Sequence, residues 1–182
     1  TGGRAVLHDK ELTYAVVLPI SCGVKLRTVY RVINHGLARA LQALGVVVTI
    51  AEEEVPVAGP NAGPCFSRPA PGELLVDGRK LVGSAQARVG RAILQHGSLL
   101  IGSGQERLGE LYGSDSGSRL AIGLDEILGA TPPWDELVHG IIAGMRDVLG
   151  GKWARGNLTD GERSSSRIFL RHYASPEWTW RR

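Results

Sequence analysis

The Asp77-Gly78 pair constrains the fold of this sequence more than any other local feature. It stands between two short runs that contain apolar residues, 73–76 and 79–82. Asp-Gly suits the positive φ angles that both central residues of a type I′ turn adopt, so the pattern predicts a β-hairpin. Lys80 then lies on a strand, two residues beyond the turn.

Three stretches carry the signals of helices. Apolar residues recur at three- and four-residue intervals over residues 26–44, and Gly45 follows where a C-terminal cap is expected. A second helix is predicted within residues 131–150, which open on Thr-Pro and close on glycine. A capping-box pattern at residues 159–162 predicts the start of a third helix.

Strand patterns alternate with these helices. Residues 5–18 alternate around a turn-like segment at 8–10, which predicts two short paired strands. The β-branched run at 46–50 predicts a buried strand, and residues 92–101 predict another. We therefore expect an α/β (α+β) domain in which a β-sheet is flanked by helices.

Length, charge and cysteine content exclude several classes of protein. A chain of 182 residues fits one compact domain, here residues 1–182. The net charge of +3 is small and evenly spread, which argues against nucleic-acid binding. No apolar stretch approaches the roughly 20 residues that span a membrane. The two cysteines, Cys22 and Cys65, lack metal-ligand spacing, so we predict a cytoplasmic protein without a disulfide scaffold or a metal.

A long loop at residues 51–72 carries Cys65 near its far end. Loops of more than about 12–15 residues in a compact domain are commonly functional or disordered. A lone cysteine is more often a packing residue, and we interpret Cys22 in that way. A Pro/Gly-rich loop is a poor place for a core residue, however, so Cys65 is a candidate nucleophile. Lys80 could supply the cation that stabilises its thiolate, although a solvated strand lysine is the simpler alternative.

Other residues are weaker candidates. The small residues Gly83-Ser84-Ala85 permit close approach by a ligand or by another backbone, with a simple bulge as the alternative. Gly2-Gly3-Arg4 could cradle a carbonyl or phosphate with its backbone N–H groups. His8 and His96 could transfer protons or donate hydrogen bonds, or could simply be structural.

Three stretches taken together resemble the biotin/lipoate protein ligase and octanoyltransferase family. They are TGGRAVLHD at residues 1–9, GRKLVGSAQ at 78–86 and LQHGS at 94–98. Within the family, the Pro-Cys-Phe run around Cys65, which precedes the lysine motif, is similar to the cysteine-dependent octanoyltransferase branch. ATP-dependent lipoate ligases usually have a third glycine where this chain has Arg4.

The resemblance implies a ligase-like (class II synthetase-like) fold with a mixed β-sheet, and a ping-pong acyl transfer. Cys65 would accept an octanoyl group from octanoyl-acyl carrier protein, and Lys80 would tune its reactivity. A lysine of a lipoyl domain or of the glycine-cleavage H protein would then take the acyl group. No nucleotide or metal cofactor would be required. The implied acyl-pocket residues are Gly2, Gly3, Arg4, His8, Gly83, Ser84, Ala85 and His96.

Three alternatives stay open at this point. The same cysteine could move octanoyl from the H protein to other lipoyl domains, or the chain could be an ATP-dependent lipoate ligase. It could also be a non-catalytic module that binds lipoyl domains. This last alternative arises because family members carry an Arg-Arg-Pro and further elements ahead of the first threonine, so we expect that an N-terminal segment of the family domain is absent here.

Overall fold

An antiparallel sheet of five strands forms the centre of the larger part of this protein. The computed structural model describes residues 4–20, 25–52, 63–108 and 120–180. The strands are β1 (Glu11–Pro19), β2 (Thr49–Ile50), β3 (Leu74–Val76), β4 (Arg79–Val89) and β5 (Ala92–Leu100). Their order across the sheet is β1-β5-β4-β3-β2. Its central strand is therefore β4, and β1 and β2 are its edges.

The predicted hairpin is confirmed at β3 and β4. Asp77 and Gly78, which connect the two strands, have φ angles of 50° and 74°, as a type I′ turn requires. The predicted strand at 92–101 is confirmed as β5. On its buried side, Gln95 and Leu99 alternate with the more exposed Leu94 and His96, which is the period of two expected for a strand with one buried face.

Two long helices pack against each other and share one hydrophobic core with the sheet. The helices α1 (Leu26–Ala43) and α3 (Trp134–Leu149) are both at the predicted positions. The short helix α2 (Leu124–Leu128) precedes α3. The apolar residues of α1 and α3 join the strand residues in one core, so the periodic pattern of the sequence marks the packed faces. Gly45 follows α1 with a φ of 82°, which confirms the predicted cap.

Two strand predictions were wrong in part. Residues 5–7 do not form a strand paired with β1; the backbone of Leu7 instead exchanges two hydrogen bonds with the side chain of Gln105. Of the predicted buried strand 46–50, only residues 49–50 pair, with β3, and both are exposed because β2 is an edge strand. We expected a mixed sheet, whereas the described strands pair antiparallel throughout. Parallel pairing is limited, in the described residues, to a bridge between Lys80 and Ala121.

The chain divides into two compact units, Thr1–Gly150 and Gly151–Arg182. The second unit contains α4 (Asp160–Tyr173) and α5 (Pro176–Thr179). The predicted capping box is confirmed, because the Thr159 hydroxyl accepts from the Glu162 N–H while the Glu162 carboxylate accepts from the Thr159 N–H.

No helix in the described ranges is long and apolar enough to cross a membrane. A single domain over residues 1–182 stays a prediction.

Candidate active site

Cys65 begins a short 3₁₀ helix, Cys65–Ser67, whose second residue anchors it in the core. Phe66 is buried almost completely, and Cys65 itself is half-buried. The Cys65 N–H donates to the carbonyl of Ala5 at 2.8 Å. The Arg4 guanidinium donates to the carbonyls of Cys65 at 3.1 Å and of Arg68 at 3.3 Å. Residues 4–5 therefore fix the backbone that carries the thiol.

Lys80 is fully buried, and its ammonium group lies against Cys65. The Nζ atom is 3.5 Å from Cys65 Sγ and 2.9 Å from the Cys65 carbonyl oxygen. Its third partner is the Glu73 carboxylate, at 2.7 Å from Oε1. The ring of Phe66 lies beneath it, with its centroid 4.9 Å from Nζ. All three N–H donors of a lysine ammonium therefore have a partner.

A β-bulge directs Lys80 toward the cysteine. Leu74 pairs with Val82 while Leu75 pairs with Lys80, so the register shifts by one residue between them. Bulges of this kind re-aim side chains. The backbone of Lys80 is held on its other side by Leu120 and Ile122, at 2.6 Å and 3.1 Å. The amine is therefore presented from a segment that is fixed on both sides.

Gly83 provides the space into which the Lys80 side chain bends. A Cβ added at Gly83 would lie 2.9 Å from Lys80 Cε and 3.2 Å from Phe66 Cζ. This approach is closer than a side chain at this position would normally permit. The glycine in the predicted small-residue run thus faces a side chain of the protein, and its role toward an acyl group stays a prediction.

Glu73 is the site residue that we did not predict. Its side chain is 2% exposed and is paired with Lys80. Its Oε2 accepts from the Ala70 N–H at 2.6 Å, and its Oε1 accepts from the Ser84 N–H at 3.4 Å. Burial raises the pKa of Glu73, and the positive charge of Lys80 opposes that rise. The one available signal was a charged residue at the start of a strand that is otherwise apolar.

A closed ring of buried hydrogen bonds lies beside Glu73. The Gln95 amide donates to the Tyr14 hydroxyl and to Asn34 Oδ1, both at 3.2 Å. The Ser84 hydroxyl lies 2.6 Å from the Tyr14 hydroxyl and donates to Asn34 Oδ1 at 3.2 Å. Burial raises the pKa of Tyr14, so the phenol stays protonated and can donate to Ser84. The ring fixes the strand segment that contains Ser84, a predicted pocket residue.

The two predicted histidines lie in different settings. His8 is exposed, and its Nδ1 is 2.5 Å from Glu11 Oε1. His96 is half-buried on β5, where it pairs in register with Ala85. Burial lowers the pKa of His96. The neighbouring strands therefore bring Ala85 and His96 together, and their role in an acyl pocket stays a prediction.

Some predictions fall outside the described residues. Gly2, Gly3 and Cys22 are among them, so their proposed roles stay predictions. Among the residues that the structure describes, no group of three or more His, Cys, Asp and Glu side chains could hold a metal ion. That the reaction needs neither a metal nor a nucleotide also stays a prediction.

A groove of about 320 Å³ runs between α1 and the segment before β3. Cys65 and Lys80 do not line it, but Tyr30 connects it to the site, since the Tyr30 hydroxyl donates to the Ser84 carbonyl at 3.3 Å. Its lining residues are Arg27, Tyr30, Arg31, Asn34, His35, Ile50, Ala51, Glu52, Pro71 and Gly72.

Comparison with known proteins identifies the family. A family model described as the lipoyl protein ligase A/B catalytic domain matches residues 1–145. The chain belongs to this family. Octanoyltransferase LipM of Kyrpidia tusciae is 36% identical over the whole of this chain, which covers 73% of that relative. Octanoyltransferase LipM of Staphylococcus aureus is 32% identical, with 72% of its length covered. The predicted family resemblance is confirmed.

Solved structures agree with the predicted fold class. A bipartite lipoate protein ligase from Thermoplasma acidophilum matches 97% of this chain, and 67% of that chain, with a TM-score of 0.76 and 20% identity. A lipoate-protein ligase A bound with ATP matches 93% of this chain and 64% of that chain, with a TM-score of 0.72 and 19% identity. These likenesses confirm a helix-flanked sheet of the lipoate ligase type.

Proposed function

We propose that this chain transfers an octanoyl group to a protein lysine in protein lipoylation, through a thioester on Cys65. The octanoyltransferase names of its relatives, at 32–36% identity over the whole chain, confirm the predicted enzyme class and its part in lipoylation. The observation that supports a thioester is the 3.5 Å approach of Lys80 Nζ to Cys65 Sγ. A buried cation at this distance stabilises a thiolate, the form of cysteine that attacks a carbonyl.

In the first half-reaction, the Cys65 thiolate attacks the thioester carbonyl of octanoyl-acyl carrier protein. A bond forms between Cys65 Sγ and the acyl carbon, and the bond from that carbon to the carrier sulfur breaks. The departing carrier thiolate takes a proton from the Lys80 ammonium. Lys80 is placed for this transfer because its Nζ already lies at the Cys65 sulfur. The products are the acyl-enzyme and the free carrier thiol.

In the second half-reaction, the amine of an acceptor lysine attacks the acyl carbon. An amide bond forms, the bond from the acyl carbon to Cys65 Sγ breaks, and the proton lost by the amine returns to neutral Lys80. The enzyme is thereby restored to its thiolate and ammonium state. Because the donor is already a thioester, this cycle uses no ATP.

Lipoyl domains are the acceptor class that we assign to this chain. The solved archaeal lipoylation system comprises a bipartite lipoate protein ligase and its E2 lipoyl domain, and that ligase has the fold of this chain. The glycine-cleavage H protein is the second candidate acceptor. The net charge of +3 on this chain is compatible with partners that carry acidic surfaces.

Intact-mass measurement identifies the donor. The chain is mixed separately with octanoyl-acyl carrier protein and with octanoyl-H protein, and the mass of the enzyme is followed. We expect one added octanoyl group from the acyl carrier protein. Loading from the H protein alone would instead indicate an amidotransferase. The absence of an adduct with either donor, together with binding of a lipoyl domain, would identify a non-catalytic binding module.

A further inference from the structure

The Lys80 ammonium lies where no water can stabilise it. Its side chain has no exposed area, and its only charged partner of opposite sign among the described residues is Glu73, which is 2% exposed. We propose that Glu73 is a positioning residue that keeps Lys80 charged and directs it at the thiol, so that Cys65, Lys80 and Glu73 act as a triad. This proposal rests on the proposed acyl transfer through Cys65.

The charge argument begins with burial. A lysine amine removed from water loses its proton readily unless a counter-ion accompanies it. The Phe66 ring and the Cys65 carbonyl contribute only partial charges. The Glu73 carboxylate, at 2.7 Å, is therefore the counter-ion that a buried ammonium requires. Without it, the neutral amine would leave the thiolate without a cation.

The geometric argument concerns how Glu73 is itself held. Each of its two carboxylate oxygens accepts a backbone N–H, Oε2 from Ala70 and Oε1 from Ser84. Burial raises the pKa of Glu73, and the Lys80 charge and these two hydrogen bonds oppose that rise and favour the ionised carboxylate. The Oε1 atom thus contacts the Lys80 ammonium from a fixed position.

Few other titratable groups approach this cluster. Tyr14 from β1 and Tyr30 from α1 face Glu73, and burial raises the pKa of both phenols, so they stay neutral in the range of the experiment. The Arg4 guanidinium donates to the Cys65 carbonyl, which also accepts from Lys80. Glu73 is therefore the carboxylate whose removal should change the charge of Lys80.

The test is the pH profile of Cys65 alkylation by iodoacetamide. All proteins carry Cys22→Ala, so that only Cys65 can react. We expect Glu73→Gln to move the midpoint of the profile to higher pH and to slow alkylation at pH 7 by about tenfold or more. The reason is that, at a pH below both midpoints, raising the midpoint by about one pH unit leaves about a tenth of the thiolate.

Glu126→Gln is the control, because it breaks the exposed ion pair with Arg79, the residue next to Lys80. Its alkylation rate should stay within about twofold of that of the parent protein.

Two further variants separate the triad from a structural effect. In a Lys80→Gln background, Glu73→Gln should no longer move the profile, because the proposed effect passes through the amine. Glu73→Asp keeps the charge but shortens the reach, so it should keep the midpoint and slow acyl-enzyme formation. This variant also serves if Glu73→Gln does not fold, as judged by circular dichroism.

Three results would overturn the proposal. The first is an unchanged or lowered midpoint in folded Glu73→Gln. The second is an equally raised midpoint when Glu73→Gln is made in the Lys80→Gln background. The third is a Glu73→Asp variant that matches the parent protein in both rate and midpoint. Alkylation needs no acyl donor, so the outcomes are separable. A raised midpoint in Glu73→Gln, in a chain that never forms an acyl-enzyme, would support the triad and contradict the proposed function.

Discussion

The space at Gly83 decides whether Lys80 can reach Cys65. In Gly83→Ala the new Cβ would lie 2.9 Å from Lys80 Cε, which is the flexible part of that side chain. We expect Lys80 to move away from Cys65 while the fold is kept, because a lysine methylene shifts more easily than backbone. Acyl-enzyme formation should fall about tenfold or more in single-turnover intact-mass measurements, equal to about 1.4 kcal/mol of activation free energy.

Gly156→Ala is the matched control for that substitution, because an added Cβ there meets no atom within 4 Å. Its rate of acyl-enzyme formation should equal that of the parent protein. A Gly83→Ala variant that acylates at the parent rate would show that the position of Lys80 is not set by this contact.

At the residue scale, the sequence predicted some members of the site but not how they meet. The loop composition and the lysine motif singled out Cys65 and Lys80, and the structure brings them together. The predicted alternative of a solvated Lys80 was wrong, since the side chain is fully buried. Glu73 was missed because a buried ion pair depends on register and on a bulge, neither of which leaves a mark on local composition.

At the scale of elements, the α1–α3 contact depends on a pair of glycines. A Cβ at Gly144 would lie 2.3 Å from the Gly36 carbonyl oxygen and 2.9 Å from the Ala40 nitrogen, so the two helix backbones could not keep their distance. We expect Gly144→Ala to lower the free energy of unfolding by about 1–3 kcal/mol, as overpacking commonly does. Urea denaturation measures the change.

Gly140→Ala, one turn earlier in α3, is the control. Its added Cβ would meet its nearest neighbours only at 3.9 Å, which is ordinary contact. Because alanine is the better helix former, this variant should be neutral or more stable by up to about 1 kcal/mol. Equal losses in both variants would show that glycine freedom, and not close packing, explains Gly144.

Elements with local signals were predicted well, and those that depend on distant partners were not. Asp77-Gly78, the periodicity of α1 and the capping box at 159–162 are encoded by neighbouring residues, and all three are confirmed. Residues 5–7 and 46–48 have strand-like sequences but lack a neighbour to pair with in these positions. Strand pairing is a tertiary property, so alternation alone could not exclude them.

At the scale of the whole molecule, His96 should make stability depend on pH. Burial holds the pKa of His96 below its ordinary value of 6.5, so the unfolded chain takes up its proton first as pH falls. Stability is then fully present above about pH 6.5 and declines as the pH falls from there toward the folded pKa. We expect His96→Asn to reduce the difference between the urea midpoints at pH 7 and pH 5.

His139→Asn, which changes a side chain outside the core on α3, is the control for this measurement. It should leave the difference between the two midpoints close to that of the parent protein. If the urea midpoints of the parent protein and of His96→Asn depend equally on pH, burial of the His96 ring does not contribute to the loss of stability at acidic pH.

The general architecture could be anticipated from the alternation of helix and strand patterns, and the family resemblance specified its type. The strand order could not be anticipated in this way. The position of β5 between β1 and β4 depends on the pairing of β1 with β5, whose residues lie about 80 positions apart in sequence. The division into units at residue 150 also has no strong local signal beyond the glycines that follow α3.

The central claim is that the acyl group passes through Cys65, and isolated acyl-enzyme tests it most directly. The chain is loaded with octanoyl-acyl carrier protein, freed of donor and mixed with a lipoyl domain. We predict that hydroxylamine at neutral pH removes the octanoyl group from the loaded chain, and that the lipoyl domain takes up this group from the chain. Cys22→Ala should give both results. Cys65→Ala should form no acyl-enzyme and should transfer no octanoyl group. Transfer to the lipoyl domain that survives Cys65→Ala, with or without ATP and free octanoate, would contradict the account.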